Sequence, residues 1–475
     1  MSPGWGPWGL VKSLKGTVQE PAHSKPVVTH PPSPPPSPLP KTAPMSTAAV
    51  PSDESCRPGW VLLHGHAHIE KIRDETTAKC STKTNEEIFA SFSRRHPPLP
   101  SNLYVDCPGR TLLHPPGVLS MADDLILFNA CVGSDRRYPR LVERDFFVYR
   151  AGPRPPSLKM LPRPHTPIAS IHEVVVVVPR GRDHYAIAAL VPHVHENSSF
   201  VLHQFDSEAG TWISRVLRVD PPQEPFPEPI PMDLSQIFYH TTNCAITVGS
   251  AIGWVDLWRG IILWDMLGNE RTLTGMPVPL PMKQIRASDA SDRRLGHARY
   301  TRGISFINGS LRFVELQFEV LHLHGLYDEE TGWPISETKS WTITTWNNRG
   351  MSELHSDWDE DCTLRASEIA VGDDTKSELS LLLRDGCDDH ADAEQRGLQN
   401  LFVSDPHFGM NDSDADGDII YLTARVKFLH PKSWILAIDM KNHRVQSVAM
   451  SAPLPKGLPC VDSNYCTCII SKCTN

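Results

Sequence analysis

Three segments of this 475-residue chain repeat one pattern. An apolar run ends in Asp, a few turn-forming residues follow, and a second apolar run begins. The segments are 200–219 (FVLHQF-DSEAGT-WISRVLRV), 261–276 (IILW-DMLGNE-RTLTGM) and 434–450 (WILAI-DMKNH-RVQSVAM). A degenerate copy lies at 323–335 (LHGLY-DEETG-WPI). Asp closes such a turn by accepting bonds from the backbone ahead of it, and Gly supplies positive φ. One hairpin repeated along a long chain predicts the blades of an all-β, β-propeller-like fold, five or six of them. Packed β-sandwiches are the alternative architecture.

The rest of the chain reads the same way. Short apolar, β-branched runs recur from Gly59 onward, among them Trp60–Leu63, Ile88–Phe92, Leu125–Phe128, Gly303–Ile307, Leu311–Leu316 and Trp341–Trp346. Pro and Gly punctuate the gaps. Val174–Val178, five valines ended by Pro179, predicts a fully buried strand. Helical periodicity is scarce, and Asp392–Phe402 is its best candidate. A ring of blades needs closing, and a strand from Gly59–Leu63 can pair with one from Tyr465–Ile470.

Composition divides the chain. Residues 1–50 hold 12 of the 44 prolines, with HPPSPPPSPLP at 30–40, which favours polyproline II and cannot bury a core, at the centre of a stretch taken as 1–55. They are expected to form a disordered leader. Residues 56–475 are expected to form the all-β domain. The net charge is −9, and residues 353–394 carry fourteen Asp/Glu against three Lys/Arg. That stretch is expected as an acidic loop inserted in the domain, open to a basic partner. No basic stripe with interleaved aromatics points to nucleic acid. No apolar run approaches the ~20 residues of a membrane span. Eleven scattered Cys without a secretory signal read as reduced thiols, which places the chain in the cytoplasm or nucleus. An organelle transit role for the leader stays open.

Residues 254–267, WVDLWRGIILWDML, are the most distinctive stretch. Trp254, Trp258 and Trp264 lie in it, with Asp256 and Arg259 placed to form an ion pair. These five residues are expected to be structural. Together with RDFFVYRAG (144–152), PVPLPM (277–282), RGISFINGSLRFVEL (302–316), SWTITTW (340–346) and AIDMKNHRVQSVAM (437–450), the block resembles a plant family greatly expanded in grasses. That family is the domain of unknown function numbered sixteen-eighteen. The resemblance runs from about Trp60 to Lys472. It implies an all-β domain similar to the kelch-like propellers associated with F-box proteins. It implies no activity, cofactor or catalytic residue. The chain departs from the family in its long leader and at Cys473, and its leader has no F-box-like helical segment.

Three constellations bear on chemistry. Asp412, Asp414, Asp416, Gly417 and Asp418 match the first eight positions of a calcium loop, with oxygen ligands at alternate places. The twelfth position is Thr423 instead of a bidentate Glu, and the following residues read as a strand. His64, His66 and His68 share a face if extended, which would let two of them bridge a metal. Cys460, Cys466, Cys468 and Cys473 lack the paired knuckles of a zinc ribbon. No nucleophile elbow, phosphate-binding loop, dinucleotide fingerprint or zinc-protease helix is present. The expectation is a non-catalytic domain that binds an unidentified protein, with no cofactor beyond a candidate calcium ion. The alternatives are a substrate adaptor for a ubiquitin ligase supplied by another chain, and a hydrolase with a pocket at the propeller axis.

Overall fold

The computed structural model describes residues 59–132, 144–152, 155–162, 175–181, 183–193, 199–219, 240–266, 272–280, 298–328, 334–350, 358–384, 396–410, 418–428, 430–451 and 465–469. They belong to one unit, Ser55–Asn475. The leader 1–55 lies outside the described residues.

The strands fall into mostly antiparallel sheets that follow one another along the chain. The first opens with β1 (Trp60–His64) and β2 (His68–Ile69) and continues through β3 (Ala78–Ser81), β4 (Glu87–Ser93) and β5 (Asn102–Asp106). The second is the meander β6 (Gly117–Ala122), β7 (Leu125–Ala130), β8 (Asp145–Arg150) and β9 (Ser157–Met160). The third is β10 (Val175–Arg180), β11 (His184–Pro192), β12 (Ser199–Asp206) and β13 (Thr211–Val219). The fourth is β14 (Cys244–Val248), β15 (Ala251–Asp256), β16 (Gly260–Asp265) and β17 (Thr272–Met276). The third and fourth touch where Arg218 and Val219 pair in parallel with Thr272 and Leu273. The fifth is β18 (Arg302–Ile307), β19 (Ser310–Tyr327), β20 (Pro334–Asn348) and β21 (Asp359–Arg365). The sixth holds β22 (Ala370–Val371), β23 (Phe402–Phe408), β24 (Ile419–Arg425), β25 (Trp434–Asp439) and β26 (Arg444–Met450). Within any one of these six sheets, the parallel pairs among the described residues are only β2–β5 and β22–β26.

The last strand, β27 (Tyr465–Ile469), returns to the first sheet. It pairs antiparallel with β1, with Trp60 opposite Ile469 and His64 opposite Tyr465. β1 in turn joins β5 through His64 N–H to Ser101 O and Ser101 N–H to Leu62 O. First strands of successive sheets pack together: β6 on β10, β14 on β18 and β18 on β23, while β27 reaches both β23 and β6. This is a propeller-like ring, and the described residues supply six blades. The expected closure between the two ends of the domain is the β1–β27 pair.

Strand alternation explains the core. Successive side chains point to opposite faces, and both faces of a blade are covered by its neighbours. In β7, Ile126 and Phe128 pack with Val61, Ile88 and Val105 of the first blade. Leu125 and Leu127, one residue out of step, pack with Val175, Val177 and Ile187 of the third. All six residues of β7 are therefore buried. Each large apolar side chain so placed contributes ~1.5–3 kcal/mol.

The structure corrects three expectations. The acidic stretch 353–394 is not one loop. Its described part contains β21 and a helix, Asp373–Arg384, packed on β26. β21 is the outermost strand of its blade, so its charged side chains reach water and its sequence carries no apolar signal. Helix Asp373–Arg384 has Asp373 and Asp374 in its first turn and Arg384 in its last, charges that favour both ends of the helix dipole. The candidate helix Asp392–Phe402 is replaced, over its described residues, by a 3-10 turn at Leu398–Asn400 and the start of β23. The valine strand runs past Pro179 to Arg180. β10 is an edge strand, where the missing proline N–H disturbs no ladder.

Candidate functional site

The tryptophan block is the β15–β16 hairpin. Asp256 ends β15 and is almost fully buried, at 1% exposure. One carboxylate oxygen accepts from the backbone N–H groups of Trp258 (2.9 Å) and Arg259 (3.2 Å). The other accepts from Thr241 N–H (2.8 Å) and from Arg259 Nη1 (2.9 Å). Two of the Asp residues of the repeated hairpins close their turns in the same way. Asp206 accepts from the N–H groups of Glu208 and Ala209, and Asp439 from that of Asn442.

The block also joins two blades. Trp254 and Trp264 pack with Leu202 and Leu217 of the third blade. Val255 and Leu257 pack with Phe313 and Trp346 of the fifth. Arg302, the first residue of β18, is fully buried and completes the joint. Its Nε and Nη2 donate to one oxygen of Glu315 at 3.1 and 2.5 Å, and its Nη1 donates to Leu257 O at 2.8 Å. Its guanidinium carbon lies 4.8 Å from the Trp258 ring centre and 5.1 Å from that of Phe313. Burial lowers the Arg302 pKa and the Glu315 carboxylate opposes that shift. All five residues singled out in the block thus sit in packing, turn or ion-pair roles. Beside them His240 is buried against Phe200, with neither ring nitrogen hydrogen-bonded. Burial pushes its pKa down to about 4, with Asp256 opposing and Arg259 adding to the shift.

Asp412, Asp414 and Asp416 lie outside the described residues. Asp418 accepts from Arg312 Nη1 at 3.2 Å, and the same guanidinium reaches Asp361 at 2.9 Å. A groove of about 360 Å³ lies beside Arg312, between the Asn308–Gly309 turn and Asn347 and Arg349. His64 is buried and its Nδ1 engages the backbone of His66. Its pKa is pushed down to about 3, first by burial and then by His68 and His66. His68 turns to Asn102, at 3.2 Å. Among the described residues, no group of three His, Cys, Asp or Glu is arranged to hold a metal. Cys466 and Cys468 lie in β27, while Cys460 and Cys473 fall outside the described residues.

Sequence reasoning missed two features. The first is a bulge in β23, where the register shifts between Ser404 and His407 and Asp405 has φ of 52°. Asp405 is buried, and its carboxylate accepts from the Ser404 hydroxyl at 2.9 Å. Burial raises its pKa to about 7 against the pull of Arg425, Ser404 and Arg299. Burial and Arg299 push His407 down to about 4. The second feature is a ribbon. β18 pairs with β19 only as far as Glu315, and β21 pairs with β20 only from Thr342. Beyond these points β19 and β20 continue as a pair of strands. Phe318 stacks on Phe402, Asn400 donates to Thr338 O, and Lys427 bonds Asp328 at 2.7 Å, which seats the ribbon on the sixth blade. Leu321, Leu326 and Tyr327 remain 46%, 54% and 63% exposed. The signal was the apolar run that continues past Leu316 to Tyr327.

These features define an all-β, propeller-like domain of six described blades whose most distinctive motif is a joint between two of them. Residues 254–415 match the family model described as protein of unknown function (DUF1618). No curated protein matches the chain. Among solved structures, a dihydro-heme d1 dehydrogenase NirN in complex with DHE is similar at 10% identity, over 85% of this chain and 75% of that one, with a TM-score of 0.29. An alpha-L-arabinanase of Penicillium chrysogenum complexed with arabinobiose is similar at 9% identity, over 84% and 99%, TM-score 0.25. The WD40 domain of SCAP from fission yeast is similar at 10% identity, over 84% and 91%, TM-score 0.27. The blades rest on the strand pairing described above, not on these distant likenesses. No helix among the described residues is long and apolar enough to cross a membrane.

Proposed function

We propose that this chain is a non-catalytic protein-interaction domain and that the β19–β20 ribbon is its binding element. The observation that carries this reading is the exposure of Leu321, Leu326 and Tyr327 on strands that extend past their blade. Exposed apolar groups gathered on a paired but uncovered ribbon suit partner binding, since burying them releases ordered water and extends the sheet. Cys80, Cys107, Cys131, Cys244 and Cys362 are free thiols, which supports a place in the cytoplasm or nucleus. The hydrolase alternative draws on Asp405 and His407, whose pKa values move in opposite directions. Asp405 is only 4% exposed, so the same features are better read as a buried structural bulge. The ligase-adaptor alternative is one form of the same binding role.

The test is capture from cell extract by the purified chain and by a Leu326→Asp, Tyr327→Asp variant. Both sites are exposed, so the variant is expected to melt with the wild type. Proteins held by the wild type should be lost by the variant. An unchanged set of captured proteins contradicts the reading.

A further inference from the structure

The bulge in β23 gathers polar groups where the sixth blade is otherwise apolar. Ser404, Asp405, Thr423 and Arg425 are all buried there, and Ser404 lies opposite Thr423 on β24. Asp405 takes the left-handed backbone, which Asp tolerates better than most side chains. Among the described residues, the Ser404 hydroxyl is the one hydrogen-bond donor to its carboxyl. A carboxyl enclosed in this way is stable when neutral and costly when charged. Two cations lie near enough to act on it: Arg425 on β24 and Arg299 in the 3-10 turn Ala298–Tyr300. They oppose the effect of burial without cancelling it, and the carboxyl titrates at about 7. The other neighbours add no free charge near that pH. His407 is pushed down to about 4 and stays neutral. On β18 and β19, Arg302 is engaged with Glu315, Arg312 with Asp361 and Asp418, and Glu319 is exposed. β27 carries no residue that is charged at pH 7.

The same strand ends hold the ribbon. Arg425 lies opposite Phe402 in the ladder. Phe402 stacks on Phe318 of the ribbon at 5.8 Å and meets Phe428 edge-on at 5.3 Å. Lys427, two residues beyond Arg425, bonds Asp328 at the ribbon's far end. Any rearrangement that brings Arg425 to the bulge therefore pulls on the residues that seat the ribbon. We propose that the Asp405 bulge is a pH-sensitive latch: with its carboxyl neutral the ribbon is seated on the sixth blade, and ionisation releases it. The proposal rests on the reading of the ribbon as the binding element and names its regulation. The folded carboxyl titrates above the ~3.9 of an unfolded Asp, so the seated form holds the proton. Its stabilisation is present below pH 7 and is lost as pH rises through that value.

Amide hydrogen exchange on the full chain at pH 6, 7 and 8 tests this, with rates expressed as protection factors to remove the intrinsic effect of pH. The protonated fraction of Asp405 should fall from about nine-tenths at pH 6 to about one-tenth at pH 8. Protection in residues 317–328 should fall about threefold or more over that range, while protection in β7 holds. Asp405→Asn cannot ionise and should keep the wild type's pH 6 protection at every pH. Infrared difference spectra of the wild type give a second readout that needs no variant. The band of a protonated carboxyl should disappear with the same midpoint as the ribbon's release. Three results overturn the proposal: constant wild-type protection in 317–328, an Asn variant that loses protection as the wild type does, or a carboxyl midpoint that differs from that of release. If protection is constant while capture of other proteins still depends on Leu326 and Tyr327, the latch is ruled out and the ribbon's binding role stands.

Discussion

At the scale of single residues, the buried charges decide how the molecule responds to change. Arg302 and Glu315 sit between blades with no access to water for the guanidinium. Removing one partner strands the other charge, so Arg302→Met should cost about 3–5 kcal/mol, and Arg302→Met with Glu315→Leu should recover much of it. Urea unfolding of the two variants measures both. Arg259→Met should cost less, about 1–2 kcal/mol, because Asp256 keeps three backbone donors. An unchanged midpoint for Arg259→Met would show that the ion pair is idle. The buried histidines set the acid limit. His64 and His240 hold pKa values of about 3 and about 4, below the ~6.5 of an unfolded histidine. Their contribution is complete above ~6.5 and is lost as pH falls through the folded values, because the unfolded chain takes up the protons first. His240→Phe should flatten the stability profile between pH 6.5 and 4. Asp405 has the opposite sign. Its folded pKa of about 7 exceeds the unfolded ~3.9, so its contribution is present at low pH and is lost as pH rises through 7. Asp405→Asn should therefore gain on the wild type at pH 8 relative to pH 5, and thermal melts at both values show whether it does. The Asp256–Arg259 pair was legible because its members are three residues apart. Arg302 and Glu315 were not, since a strand register brings them together and their blade then lays them on Trp258.

At the scale of elements, legibility followed burial. Strands covered on both faces, such as β7 and β24, announced themselves as continuous apolar runs. Outer strands did not. β3 (AKCS), β9 (SLKM) and β21 (DEDCTLR) carry polar sequences that a pairing neighbour turns into strand. β23 was hidden by the Asp405–Pro406 bulge, which interrupts its pattern. Close approach of elements also leaves little trace in the sequence. A Cβ on Gly303 in β18 would lie 2.1 Å from Pro406 O in β23. Gly303→Ala should thus force two inner strands apart and lower the melting temperature by several degrees, while the exposed Gly350→Ala should not. Calorimetry on the pair of variants separates a packing limit from a general intolerance of alanine.

At the scale of the molecule, the repeated Asp-closed hairpins pointed to blades, but their number could not be counted from sequence. The repeat marks only some hairpins, and the closing sheet takes strands from both ends of the domain. β1 and β27 are about 400 residues apart and become neighbours only when the ring shuts. The ribbon depends on that ring too, because its seat is on the sixth blade, which β27 touches. Closure is therefore the central claim. The direct measurement is thermal unfolding and amide hydrogen exchange on a chain ending at residue 459, compared with the full chain. Loss of β27 is expected to lower a single cooperative transition and to speed exchange in β1, β6 and β23 together. A truncated chain that melts with the full one and keeps slow exchange in those three strands contradicts a ring closed by β27.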